Sequence, residues 1–370
     1  MKFTNCVTLV GSKPKRYEGT KRYVSTGALA VDHIDEESVE LVGYEDRPSR
    51  ADLTAESGDV LFAKMADTKK TILLDKENAE NIYSTGFFAV RAKPGMITAE
   101  CLYYLLTSDV FLRQKNKHSS GATQRAITNK GLEAIDISIP NLDEQTRLVA
   151  KLDALSKVIK SREQQLAELD NLIKARFVEL FGDSKVNPYG FNKVRLEDSC
   201  EIVTGNTPSR TVNDYYGDYI EWIKTDNIMA EMMYPTRATE SLSEVGLKVG
   251  RYVEKGAILM ACIAGSVASI GKVCITDRQV AFNQQINAIV PKKYNALFLY
   301  VLLQTSKDYL VEELNMALKG ILSKSKLGEK TLILPPMDQQ NAFAAFVAQI
   351  DKSKVVVQKA LSKNVQYFTI

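Results

Sequence analysis

The chain has 370 residues, 45% of them hydrophobic and 25% charged, which is enough for two or more domains and excludes a disordered or fibrous protein. Its 48 basic and 45 acidic residues leave a net charge of only +3. Attraction to a charged partner must therefore come from local clusters, not from the chain as a whole.

At the N-terminus, MKFTNCVTLVGSKPKR interrupts its apolar stretch with charge too soon for a signal peptide, and no run of 18 apolar residues follows. The five cysteines, Cys6, Cys101, Cys200, Cys262 and Cys274, form no Cys-x-x-Cys pair, and only His33 and His118 are available as co-ligands. Buried free thiols, a cytoplasmic location and no metal site are expected.

Residues 1–30 carry Lys2, Lys13, Lys15, Arg16, Lys21 and Arg22 against Glu18 alone, a local excess of +5. Next come short apolar runs such as DVLFAKM (59–65) and STGFFAVRA (84–92), separated by Gly-, Asn- and Asp-containing turns. They read as strands of a mostly antiparallel sheet or half-barrel, with one helix over 99–116. RQKNKHSSGATQR (113–125) then offers Arg113, Lys115, Lys117 and Arg125 without an acid, together with Ser119, Ser120, Gly121, Thr123 and Gln124. Cations suit phosphate anchoring, and hydroxyls and amides suit base edges. The same composition also describes a solvated loop after a helix.

ISIPNLDEQ (137–145) is a strand-to-helix junction, with Asn141 and Glu144 spaced as a capping box and Gly182 as the stop. Between them, 143–181 lacks Gly and Pro. It carries a 4-3 apolar seam at Leu148, Leu152, Leu155, Ile159, Leu166, Leu169 and Ile173, with Arg162 in one slot. Its seven acidic and seven basic residues describe a solvated scaffold face, not a phosphate stripe.

The junction recurs 195 residues later as LILPPMDQQ (332–340), placing Pro140 on Pro335 and Gln145 on Gln340. A second helix, 338–368, follows with seam residues Phe343, Val347, Ile350, Leu361 and Phe368, interrupted by Lys354 and Asn364. Upstream, with small gaps, GDVLFAKM (58–65) answers GAILMACI (256–263), and LYYLL (102–106) answers LYVLL (299–303). Tyr23 falls on Trp222, Thr26 on Thr225 and Cys6 on Cys200, with both aromatic rings expected in core or half-buried places. The order of matches makes the chain two copies of one unit. The divisions expected are mixed domains at 1–140 and 183–336, a central spacer helix at 141–182 and a C-terminal one at 337–370. The helices are expected to pair antiparallel, giving an α+β chain with two pseudo-twofold-related mixed domains separated by a two-helix coiled coil.

In the second copy the helix expected over 295–313 leads to MALKGILSKSKLGEK, which keeps Lys319, Gly320, Ser323, Lys324 and Lys326. Other candidate polar contacts are Thr207, Arg210, Lys224, Thr225, Asp226 and Asn227, with Asn283, Gln284 and Gln285 in the FNQQ run. GSVASIGKV (265–273) departs from a phosphate-binding loop in spacing and offers Val273 where a hydroxyl is needed. NPYG (187–190) lacks the second proline of an amino-methyltransferase signature and sits where a turn is expected. No catalytic arrangement can be nominated from spacing, so the chain is not expected to be an enzyme by itself.

The two junctions, GATQRAITNKGLEAI (121–135), VTGNTPSR (203–210), YYGDYIEWIKTDNI (215–228) and FNQQINAIVPK (282–292) together resemble the DNA specificity subunit of type I restriction-modification systems. The resemblance covers essentially the whole chain. It implies that each mixed domain is a target recognition domain reading one half of a bipartite double-stranded DNA site. The helices would fix the spacer and dock two modification subunits, which carry S-adenosylmethionine and methylate adenine N6. Restriction subunits using ATP and Mg would complete the complex, and no cofactor would belong to this chain. The alternative reading is a coiled-coil protein-interaction scaffold without DNA recognition.

Overall fold

The computed structural model describes residues 1–230, 232–264, 269–312 and 320–368, with side chains through residue 364. The chain is α+β and divides into two compact units, Met1–Ser161 with Leu361–Ile370, and Arg162–Ala360.

Each unit holds a corresponding pair of sheets, one of four strands in both copies and the other of four strands in the first and five in the second. In the first, an antiparallel sheet runs Val7–Val10, Phe87–Ala92, Val60–Ala63, Thr71–Leu73; in the second its counterpart runs Cys200–Thr204, Ile286–Pro291, Ile258–Ala261, Val273–Ile275. The inner strands Val60–Ala63 and Ile258–Ala261 are buried at every residue. Val60 and Phe62 enter one core cluster while Leu61 and Ala63 enter another, and Ile258 and Met260 part from Leu259 and Ala261 in the same way. A strand covered on both faces has no polar face to alternate with, which is why these runs read as continuously apolar.

The other sheet is also mostly antiparallel, as expected, but each copy has one parallel pair. Tyr23 pairs with Ile82 in parallel, and Trp222 pairs with Ala281 in parallel, with the same separation of 59 residues in each copy. A parallel pair needs a long crossover, and here the crossover carries a strand of the other sheet, Val60–Ala63 or Ile258–Ala261. Tyr23 and Trp222 are 5% and 3% exposed, so both rings are core residues.

The helix expected over 99–116 is two helices, Ala99–Thr107 and Asp109–Lys117. Ser108 between them is extended, and its hydroxyl caps the second by accepting from Phe111 N. In the second copy the helix Ala296–Thr305 ends at Ser306 and Lys307–Val311 follows. Ser108 breaks the first by capping instead of continuing a helix, whereas Ser306 makes no cap bond and its hydroxyl meets Ser184 Oγ at 2.6 Å.

The long helices are Leu142–Phe181 and Met337–Phe368, the first of 40 residues, or roughly 60 Å at 1.5 Å per residue. Asn141 and Glu144 form the capping box, Asn141 Oδ1 accepting from Glu144 N at 3.0 Å and Asn141 N donating to Glu144 Oε2 at 3.3 Å. Gly182 ends the helix at φ +69, and a Cβ there would fall 2.3 Å from Pro188.

Seam residues Leu152, Leu155, Ile159, Leu166 and Leu169 are half-buried and Ile173 is buried, whereas Leu148 is 42% exposed. Within the second unit the helices run antiparallel: Lys354 Nζ meets Asp170 at 2.6 Å, and the ring of Phe343 lies 5.5 Å from Phe177. Phe181 and Phe298 complete this aromatic cluster. Val347 is buried and Ile350 and Leu361 are half-buried, while the Phe368 side chain lies outside the described residues.

Candidate nucleic-acid interface

The polar segment of each copy leaves its unit at the same point. Met65 bridges Ala126 and Ile263 bridges Ile321, while Ile127 N donates to Lys64 O and Leu322 N to Cys262 O, both at 2.9 Å. In the first copy this anchors a hairpin, Ser119–Ser120 with Ala126–Ile127, whose tip is exposed from Ser120 to Arg125. Gly121, at φ +134, is required there, because a Cβ would fall 2.4 Å from Gln124 O.

Thr123 and Gln124 are exposed on the tip, and Arg113 and Lys117 are exposed without an ion pair among the described residues. Arg125, exposed as well, donates to the carbonyls of Asn116 and Ser119, and Ser119 Oγ donates to Lys115 O at 2.7 Å. Lys115 as a phosphate contact is corrected. It is 3% exposed, its ammonium donates to Ala63 O at 3.2 Å and Thr68 O at 2.5 Å, and burial lowers its pKa to about 8. It pins the hairpin's base instead of facing solvent.

The local excess near the N-terminus is largely neutralised by acids from elsewhere in the unit. Lys13 pairs with Asp52 at 3.5 Å, Arg16 with Glu45 at 3.2 Å, Lys21 with Glu80 at 3.7 Å and Arg22 with Glu36 at 2.7 Å. Lys2 pairs with Asp136 at 2.9 Å. Lys15 is exposed and without an ion pair among the described residues, and Thr26 is half-buried with its carbonyl accepting from Lys70 Nζ at 2.8 Å.

In the second unit the candidates around Trp222 do come together. The guanidinium of Arg210 lies 4.4 Å from the Tyr216 ring centre and 5.1 Å from that of Trp222, and Lys224 Nζ lies 5.2 Å from Trp222. Both cations reach Glu240, Arg210 at Oε2 (2.6 Å) and Lys224 at Oε1 (2.5 Å), and their hydrogen bonds hold its carboxyl below the usual carboxylate range. Thr207 Oγ1 donates to Gln284, which is exposed, as is Asp226; Thr225 and Gln285 are half-buried.

Two further expectations are corrected. Asn227 and Asn283 are buried, at 9% and 5%. Asn227 accepts from Lys224 N and donates to Thr236 and Arg237, while Asn283 accepts from Gln285 N and donates to Gln285 Oε1. These amides hold turns and have no free edge for a base. Lys324 and Lys326 are exposed, Ser323 caps the helix Lys324–Glu329, Gly320 is buried, and Lys319 lies outside the described residues.

Glu240 escaped sequence reading because it stands 30 residues from one partner and 16 from the other. The same distance in sequence hid the Glu221 carboxylate, which binds Arg237 and Arg278, both at 2.5 Å. Among the described residues no group of three metal-ligating side chains forms, and no helix is long and apolar enough to cross a membrane. All five cysteines are free and buried.

Comparison with known proteins completes the picture. A family model described as the type I restriction modification DNA specificity domain matches residues 13–171 and again 188–367. The specificity subunit of the type I restriction enzyme HindI from Haemophilus influenzae is 32% identical over 160 residues, covering 42% of this chain and 34% of that protein. The MjaIX specificity subunit from Methanocaldococcus jannaschii is 27% identical over 188 residues, 49% of this chain and 43% of that one. The chain thus matches less than half the length of either relative.

Among solved structures, the type I S subunit from M. genitalium aligns over 100% of this chain and 93% of its own, with TM-score 0.56 and 13% identity. A chain from a type I R-M system, studied for complex assembly and conformational transition, aligns over 100% and 96% with TM-score 0.54 and 21% identity. These likenesses concern the fold. With the family model matched once in each copy, the chain belongs to the type I restriction modification DNA specificity domain family.

Proposed function

We propose that this chain is the sequence-reading subunit of a type I restriction-modification complex, each mixed domain reading one half of a bipartite duplex DNA target. The observation that carries this reading is the duplication itself. One topology, with one register separation of 59 residues, occurs twice, and each copy matches the specificity-domain model. Two equivalent readers suit two half-sites, much as dimeric readers match split operators. In the first copy, the exposed Gln124, Thr123 and Ser120 beside Arg113 and Lys117 supply donors, acceptors and charge of the kinds that base edges and phosphates need.

The long helices serve in this reading as the spacer between half-sites and as the docking surface for two adenine-N6 methyltransferase subunits, with restriction subunits as further partners. The chain itself does no chemistry: S-adenosylmethionine belongs to the methyltransferase subunits, and ATP and Mg to the restriction subunits. The test is methylation profiling of DNA exposed to this chain together with its modification partner. A split, adenine-containing motif is the expected result. Methylation at a single uninterrupted motif would refute the two-reader scheme, and a complex that never retains duplex DNA would favour a protein-interaction scaffold.

A further inference from the structure

We infer that Glu240 is an internal stand-in for a DNA phosphate, occupying an anion site formed by Arg210 and Lys224 until duplex displaces it. The inference rests on the proposed DNA-reading function. It adds the regulation of one contact: Glu240 offsets one of the two positive charges of this site until a competing anion arrives.

Three observations converge on it. First, both cations are placed before any ligand arrives. Arg210 lies over the Tyr216 and Trp222 rings, which are themselves set edge to face at 6.1 Å, and Lys224 lies over Trp222. The platform is tied to the loop beneath it, because Tyr216 OH donates to Pro208 O at 2.7 Å and Trp222 Nε1 to Asn206 O at 3.3 Å. Second, one carboxylate uses one oxygen for each cation, as two oxygens of a phosphodiester would. Third, the cluster is open to solvent, with 53% of the Arg210 side chain and 34% of the Glu240 side chain exposed.

An ion pair this exposed stabilises a fold little, so exchange of one anion for another is inexpensive. A phosphate that replaces Glu240 keeps both cations on their rings, which preserves the preorganisation. The freed carboxylate then takes up a cation from solution, offsetting part of the counterion release from DNA and flattening the salt dependence.

The experiment uses the full chain with its modification subunits and a mixed-sequence duplex. Trp222 is the only tryptophan of this chain, so subunits lacking tryptophan, or labelled with a fluorinated analogue, leave its emission readable. Wild type should show a saturable change in that emission as duplex binds, and no change overturns the inference. Glu240→Gln should bind duplex about three- to tenfold more tightly at low salt. Its plot of log affinity against log salt should steepen by about 1. Unchanged or weaker binding by a folded Glu240→Gln complex overturns the stand-in role while leaving the DNA-reading function intact. A wild-type complex that binds no duplex under any condition refutes that function, and this inference with it.

Discussion

Gln145 and Gln340 hold the same position in the two copies and make the same bond. Each side-chain oxygen accepts the backbone amide of the residue that caps a domain helix, Thr98 N at 3.0 Å for Gln145 and Asn295 N at 2.9 Å for Gln340. Each side-chain nitrogen donates to the carbonyl of the junction proline, Pro140 at 3.0 Å and Pro335 at 2.8 Å, and Gln145 also reaches Met96 O at 2.8 Å. Both residues are essentially unexposed, so each long helix is bolted to its own domain through one amide.

Gln145→Leu is therefore expected to destabilise the first unit by about 1–3 kcal/mol, because buried backbone groups lose their partner. Urea denaturation followed by circular dichroism checks this, and Gln340→Leu should behave alike in the second unit. A change below about 0.5 kcal/mol for both would show that water replaces the amide without loss.

Phe343→Ala should cost about 3–5 kcal/mol, since Phe343 is 1% exposed and touches Phe177, Phe181 and Phe298. Leu148→Ala, at the matching position of the first copy, should cost far less, because that side chain is 42% exposed. Equal shifts of the two midpoints would contradict the asymmetry between the copies.

Lys115 gives a pH signature. Burial holds its folded pKa near 8, below the ordinary 10.5, so in this window the unfolded chain binds more protons than the folded one. Stability from this group accordingly rises as pH climbs from about 8 towards 10.5, by at most about 1.4 kcal/mol per unit. The stability of wild type relative to Lys115→Met should increase over that interval in paired urea titrations. A difference independent of pH would mean that the ammonium is solvated.

Lys117→Ala should weaken binding to every duplex and lower the salt slope by about 1, as loss of one phosphate contact requires. Gln124→Ala should instead relax discrimination between target and nontarget duplexes. Competition binding at two salt concentrations separates the two outcomes.

What could be read in the sequence was whatever carries a local signal. Both long helices, the Asn141–Glu144 cap and the Gly182 stop are set by residues a few positions apart, and all lie where spacing places them, while the repeat shows as short local runs recurring in one order. The break at Ser108 was equally local, but its cap was masked by the apolar periodicity on either side. Electrostatics was not legible. Arg22 meets Glu36, Lys21 meets Glu80 and Arg210 meets Glu240 only after the sheets form, so a count of charges along the chain overstated the free positive charge. Polar residues in candidate loops divide the same way: Gln124 is exposed, whereas Asn227 is consumed by its own turn.

The parallel pairing of Tyr23 with Ile82, and of Trp222 with Ala281, also carries a kinetic consequence. Neither pair forms until a loop of 59 residues closes, and that closure loses chain entropy before any ladder hydrogen bond compensates. Two nascent sheets of the same chain thus face the same slow step, with similar strands exposed and able to cross-pair. Burial of Trp222 times that step in the second copy alone, so refolding followed by tryptophan emission and by circular dichroism should give different time courses.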